Sequence, residues 1–169
     1  MSSYSDITGA VEATSVFSNS KRVGKNMTVQ FPDVPFATQD LKALGTISIP
    51  IIPQIDSMEL TITKSGLDTN YAELSRIESQ EIEVRWLQSA LRNDTKIGNI
   101  YSVGYFNAIP KVIPGPSIEG ATISEMDFVF EVLRMRVLIG QEEVILVDKL
   151  NDIVVINGVD YTADLRSLL

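Results

Sequence analysis

From Ala121 to Ile139 apolar and polar residues alternate. Glu125, Asp127 and Glu131 interleave with Met126, Phe128, Phe130 and Val132, the period-2 pattern of a half-buried strand. After Val132 the apolar positions become Leu133, Met135, Val137 and Ile139, with Arg134 and Arg136 between them. A one-residue change of phase sends side chains to the opposite face, so a bulge or twist is expected at Val132–Leu133. Gly140-Gln141-Glu142 reads as a tight turn. Glu143–Lys149 reads as a second strand, apolar on both faces through Val144, Ile145, Leu146 and Val147, continuing through Asp152–Ile156 to an Asn157-Gly158 turn. The long C-terminal hairpin so predicted, 121–160, needs cover on both faces. The chain's own packing suits one face and a second copy suits the other. On that reading, aspartate at Val137 or Val147 would block assembly more than soluble expression.

The rest of the chain is read in order. Met1–Ser20, rich in Ser, Thr and Ala, reads as an N-terminal arm with a strand over Thr14–Phe17. Lys21–Lys25 reads as a basic turn and Met27–Phe31 as a short strand, stopped by Pro32 and Pro35. Phe36–Ser57 reads as a long irregular connection with Gly45, Pro50 and Pro53, holding a strand fragment in which Ile47, Ile49 and Ile51 alternate with polar residues. Loops of this length are usually functional. Two readings stay open for its isoleucines: a fold-back over the chain's own core, or docking on a neighbouring subunit.

Met58–Lys64 alternates, with Met58, Leu60 and Ile62 inward. Asp68 or Thr69 can cap a helix running to about Ser79, with Tyr71, Leu74 and Ile77 on its apolar face. Glu81–Leu87 returns to strand spacing with Ile82, Val84 and Trp86 inward. Asn93-Asp94 is a turn, and Ile97–Ile109 a strand with Tyr101, Val103 and Tyr105 on one face. Pro110, Pro114, Gly115 and Pro116 then break the chain. The sum is a mainly β, single-domain chain over 1–169: an antiparallel β-sandwich or barrel-like fold with one short flanking α-helix.

Composition narrows the chemistry. The 169 residues are 44% hydrophobic and 21% charged, globular values, with net charge −8. Residues 121–169 hold nine acids against four bases, −5 of that total. Such a surface repels phosphate backbones, which argues against tight nucleic-acid binding but is compatible with DNA passing unheld. With no Cys and no His, disulfides, thiol nucleophiles and most transition-metal sites are excluded. The first basic residue is Lys21, so no secretory signal is expected. No apolar run reaches the roughly 18 residues of a membrane helix, so stable membrane insertion is not expected.

No enzyme signature survives inspection. Ser18-Asn19-Ser20-Lys21 matches S-x-x-K, yet neither S-D-N nor K-T-G follows. Gly24-Lys25-Asn26 lacks the glycine and the hydroxyl residue of a P-loop. Asp148, Asn151 and Asp152 lack EF-hand spacing. Glu81/Glu83 and Glu125/Asp127 sit two apart on a strand, roughly 7 Å. That gap could serve a glycosidase, but a solvated strand face, or the wall of an acidic channel, uses the same pairs. No catalytic, cofactor or metal residue is therefore assigned, and no cofactor is expected.

Asp148-Lys149-Leu150-Asn151, followed five residues later by Asn157-Gly158-Val159-Asp160 after a long charged-and-apolar hairpin, carries a resemblance. This ordered set resembles the C-terminal end of the major tail tube proteins of contractile-tailed phages and R-type bacteriocins. The likeness is strongest over Ala121–Leu169 and looser over Val16–Arg92. It implies a sandwich of antiparallel sheets with a helix where Thr69–Ser79 falls, and homo-hexameric rings stacked into a hollow tube inside a contractile sheath. It also implies baseplate and tail-terminator partners, DNA passing through the lumen of a phage tube, and a place in a virion tail or bacteriocin particle assembled in the bacterial cytoplasm. The 36–57 segment would then be an inter-subunit loop, although the family's loop is often richer in glycine and this one has only Gly45. The competing reading is a monomeric β-sandwich that binds a carbohydrate or small ligand on a platform of Trp86, Tyr101, Tyr105 and Phe106.

Overall fold

The structure is a computed structural model and describes residues 7–91 and 97–169. In chain order its elements are β1 (Ile7–Ser18), β2 (Lys21–Lys25), β3 (Thr28–Gln30), β4 (Phe36–Ala43), β5 (Gly45–Ile55), β6 (Glu59–Ser65) and α1 (Asn70–Leu74). Then come β7 (Gln80–Leu91), β8 (Ile97–Val112), β9 (Glu125–Ile139), β10 (Glu142–Asp148), β11 (Ile153–Ile156), β12 (Val159–Asp160) and α2 (Ala163–Leu168). All strand pairs are antiparallel, as expected for a chain of alternating segments joined by tight turns.

β9 is the strand on which the others converge. One edge pairs with β8. The other edge is shared: β6 takes Glu125 to Glu131, and β10 takes Arg134 to Ile139. Leu133 falls between the two halves, because β8 pairs Ala108 with Val132 and Asn107 with Arg134. This is the bulge the phase change predicts. The Val132 amide donates to the Met58 carbonyl at 2.8 Å, and the Leu133 carbonyl accepts from the Lys149 amide at 3.0 Å. The extra residue thus passes β9 from one neighbour to the next and keeps Met126, Phe128, Phe130 and Val132 in the same core as Met135 and Val137.

The ladder runs β2-β1-β7-β8-β9-β6-β3 and folds around that core. Only Asn26 and Met27 separate β2 from β3, but the two strands do not pair, so the sheet stays open there. Met58, just before β6, and Leu60 and Ile62 within it are fully buried, as their alternation predicts. Each such side chain contributes about 1.5–3 kcal/mol by leaving water. Phe31 closes one end with edge-to-face contacts to Trp86 (5.3 Å) and Phe106 (4.9 Å). It lies directly over Gly104, where an added Cβ would come 2.9 Å from its ring.

Several expectations are corrected. The N-terminal arm is a strand from Ile7 onward, paired with β7 from Ile7↔Leu91 to Ser18↔Ile82. Residues 1–6 of that arm and the Asn93-Asp94 turn lie outside the described residues. Lys21–Lys25 is a strand, and the turn sits at Asn19 and Ser20, whose φ values of 49° and 68° are left-handed. Phe36–Ser57 is not irregular. It forms the β4–β5 hairpin, with prolines tolerated because β5 has no second neighbour. The helix stops at Leu74 rather than Ser79, since Gln80 Nε2 donates to the carbonyls of Leu74 (3.2 Å) and Arg76 (2.9 Å), and Ile77 is left exposed. A second short helix, α2, makes two among the described residues.

The strand after Glu143 does not continue to Ile156. The Asp148 carboxylate accepts from the amides of Leu150 and Asn151, at 3.1 and 3.2 Å, which reverses the chain so that β11 pairs back on β10. Residues 125–160 are therefore a four-strand meander rather than one hairpin. Val137 and Val147 face the core, not a neighbour.

Candidate assembly surface

Among the described residues the β4–β5 hairpin pairs with no other strand. Its register places Gln39 opposite Ile49 and Leu41 opposite Ile47 on one face, with Asp40 opposite Ser48 and Lys42 opposite Thr46 on the other. The apolar face is open: Leu41 is 45% exposed, Ile47 52%, and Leu44 at the tip fully so. Two-stranded ribbons are marginal in water unless something covers them. At its stem, Ile51 to Gln54 fall opposite Ala37 as an irregularity. The exit from the ribbon is fastened. Ser57 Oγ donates to Glu131 Oε2 at 2.5 Å, Lys149 Nζ lies 3.5 Å from Glu131 Oε1, and the same ammonium donates to the Asp56 carbonyl at 3.2 Å.

A second projection is built by β1, β7 and β8. β2 covers β1 only from Ser15 to Ser18, and the Thr14 carbonyl still accepts from the Asn26 amide at 2.9 Å, so among the described residues the outer edge of β1 from Ile7 to Ala13 pairs with no strand. On the other side, β9 reaches β8 only as far as Ser102, leaving the edge from Ile97 to Tyr101 without a strand partner among the described residues apart from one bond, Gly140 N to Tyr101 O at 3.0 Å. Unpaired edges template further strand pairing.

The sheet that carries this projection has unlike faces. One cross-strand row, Gly24, Val16, Val84, Gly104, Val137 and Ile145, packs toward the core. The rows on either side point the other way: Arg22, Phe17, Glu83, Tyr105, Arg136 and Leu146, then Lys25, Ser15, Arg85, Val103, Leu138 and Glu143. This outer face holds two open grooves of about 410 and about 420 Å3, the first apolar around Leu87, Tyr101 and Leu138, the second polar around Glu81, Asn107 and Arg134. Three of its arginines are met by acids, while Arg22 donates to the Ser15 hydroxyl at 2.8 Å. Arg85 pairs with Glu83 at 2.7 Å, Arg136 with Glu143 at 2.6 Å, and Arg134 with Asp148 at 3.8 Å. The hydrogen bond to Glu83 raises the Arg85 pKa further, and the Arg85 guanidinium also lies 4.7 Å from the Phe17 ring centre.

The residues singled out for chemistry are accounted for structurally. Ser18 is buried and its hydroxyl donates to Gln80 Oε1 at 2.9 Å, while Lys21 is exposed and pairs with Glu73 at 3.3 Å. Gly24 sits in β2 against Met27. Glu83 holds Arg85, and Asp127 accepts from Thr63 Oγ1 at 2.7 Å. Among the described residues no three acidic side chains group as a metal site. The aromatic platform is split: Trp86 and Phe106 turn to the core side with Phe31, whereas Tyr101 and Tyr105 lie on the opposite face. Strand alternation alone separates them, since Trp86 pairs with Ser102 and Glu83 with Tyr105. The two groups that sequence reasoning missed are Glu131 as the anchor of the ribbon and Gln80 as the cap of α1. Neither leaves a periodic signal.

The family model described as phage tail tube protein FII matches residues 10–169. The chain belongs to that phage tail tube family. No curated protein matches it. Two solved structures by cryo-EM, both from an extracellular contractile injection system, PVC, are similar in part. Its sheath/tube terminator in the extended state is 18% identical with a TM-score of 0.48, covering 75% of this chain and 91% of that one. Its sheath-tube complex in the extended state gives 18% identity and a TM-score of 0.49, covering 75% and 86%. As a tail tube family member the chain is a structural tail component, not an enzyme. Among the described residues no helix is long and apolar enough to cross a membrane.

Proposed function

We propose that this tail tube protein, as one domain over 1–169, assembles into homo-hexameric rings that stack as the inner tube of a contractile tail. The observation that carries the reading is the pair of edges on one projection that are open among the described residues, Ile7–Ala13 and Ile97–Ile100. Edges on opposite sides of one sheet give a head-to-tail contact, and such a contact closes as a ring or extends as a helix. Joining copies edge to edge makes one continuous barrel and removes the open edges.

The β4–β5 ribbon, at the place read as an inter-subunit loop, then bridges to a neighbouring copy and covers Leu41 and Ile47. The tube lies inside a contractile sheath, ends on baseplate and tail-terminator proteins, and is assembled in the bacterial cytoplasm. In a phage it passes DNA without specific binding; in an R-type bacteriocin it opens a path through the target envelope. Negative-stain microscopy of the purified protein tests this. Six-fold rings or tubes are expected. A monomer at every concentration, or one that retains a sugar column, would instead support the binding-module reading.

A further inference from the structure

We infer that Glu131 is the positioning residue of the β4–β5 ribbon: with Ser57 and Lys149 it makes a joint that sets the direction in which the ribbon leaves the domain, before any neighbour is met. The inference rests on the stacked-ring reading above for what the ribbon is for, and it adds how the single chain presents it.

The ribbon's direction is decided at its neck, because among the described residues no strand of the body pairs with it. The neck is narrow. The Asp56 amide donates to the Pro35 carbonyl at 2.8 Å, and Val34 and Ile55 pack on the core. Apolar packing is non-directional and does not by itself choose an angle. The stem also stands off the body on one side. A cleft of about 80 Å3 lies between Pro53 and Ile55 of the stem and Asp148, Lys149 and Val154 of the β10–β11 reversal. A neck of this kind can swing unless directional bonds span the gap.

The joint supplies those bonds from segments far apart in the chain. Glu131 sits on β9, paired with Glu59 of β6 on one edge and with Ile109 of β8 on the other. Its two carboxylate oxygens face different partners: Oε2 accepts from Ser57 Oγ at 2.5 Å, and Oε1 lies 3.5 Å from Lys149 Nζ. The same ammonium donates to the Asp56 carbonyl at 3.2 Å, and the Lys149 amide donates to the Leu133 carbonyl at 3.0 Å. Both grips are therefore fixed to β9, and Asp56 and Ser57 are held by them. Swinging the ribbon breaks both contacts at once. The side chains of Lys149 and Glu131 are only 21% and 30% exposed, so salt screens the pair less than one in open water. The acid is also kept against a local cost. Glu59 stands directly opposite it, and like charges so placed destabilise a sheet. Lys111 Nζ relieves that repulsion by meeting Glu59 Oε1 at 2.5 Å. A ribbon already held in one direction has less freedom to lose on docking.

Because the chain has no cysteine, two introduced ones can carry spin labels. Leu44→Cys at the ribbon tip and Glu81→Cys on β7 are both exposed positions. Double electron–electron resonance on unassembled protein should give one narrow distance in the wild-type background. In the Glu131→Gln background the distribution should be at least twice as wide. Lys149→Arg keeps the charge and the donors and should stay narrow. A loss of global stability alone leaves the width of the folded population unchanged. A narrow distribution in Glu131→Gln, or a broad one in wild type, overturns the inference. Assembly is read separately on unlabelled protein by negative-stain microscopy. Glu131→Gln should form rings as wild type does, but tubes several-fold shorter; tubes of wild-type length overturn that part. Wild-type protein that forms neither rings nor tubes contradicts the ring reading instead, while the label distances still decide the joint.

Discussion

The Ser57 hydroxyl donates to the Glu131 carboxylate at 2.5 Å where the β4–β5 ribbon joins the body of the domain. The contact ties the ribbon's exit to β9 one residue before Val132 and Leu133, and Lys149 from the turn after β10 completes it. Burial pushes the Glu131 carboxyl up, but the Ser57 hydroxyl, the Lys149 ammonium, the Met58 backbone and Lys111 outweigh it and hold it below its ordinary value near 4.5. A carboxyl depressed by folding adds stability above its unfolded pKa, and that stability is lost as pH falls through the lower folded value. Glu131→Gln is therefore expected to be less stable than wild type by about 1.5 kcal/mol at neutral pH, the low end of the range for a hydrogen bond to a charged group because the carboxylate is partly exposed. The gap should close in acid, as the pH falls through the lowered folded value. Urea unfolding of both proteins at the two pH values checks this, and a gap that persists in acid would contradict it.

The apolar face of the ribbon is expected to matter for assembly and not for folding. Leu41→Ser/Ile47→Ser alters side chains already half exposed, so the monomer's stability should change by no more than about 0.5 kcal/mol per site. Ring stacking or tube length should fall sharply. Thermal melting and electron microscopy on the same preparation separate the two effects.

The open edge of β1 gives a second assembly variant. Val11 is 49% exposed on the stretch that no strand covers. Lysine on an edge strand discourages further pairing. Val11→Lys is expected to leave the far-ultraviolet spectrum and melting point close to wild type while keeping the protein monomeric by light scattering.

Aspartate at Val147 is expected to act on the fold. Val147 is fully buried and Val137 nearly so, both in the shared core. Burying a carboxyl without a partner costs several kcal/mol. Val147→Asp should lower soluble yield and melting temperature strongly, in contrast to Val11→Lys. Soluble, normally melting Val147→Asp protein that fails only in assembly would restore the earlier reading of this position.

Much of the fold was legible where apolar residues recur at a fixed period. β6, β7 and both halves of β9 announce their inward faces, and the change of phase at Val132 locates the bulge because a buried core tolerates no unpaired switch. β1 was half hidden: between Ile7 and Val16 its only large apolar residue is Val11, and it is a strand because β7 lies beside it. β4–β5 was obscured by prolines that an edge strand can carry. The reversal at Asp148 depends on one side chain accepting two amides, which alternating Val and Ile on either side conceal. The open edges could not be read from sequence, since each is defined by the absence of a neighbour in space.

The account depends most on one relationship, that strand edges free in the single chain are occupied between copies. Amide hydrogen exchange over residues 8–14 tests it directly. About every second amide of an antiparallel strand points away from its partner. In unassembled protein those of β1 should exchange freely, and in tubes they should slow by about 100-fold or more, as paired strand amides do. Tubes in which residues 8–14 exchange as fast as in the free chain would contradict the account.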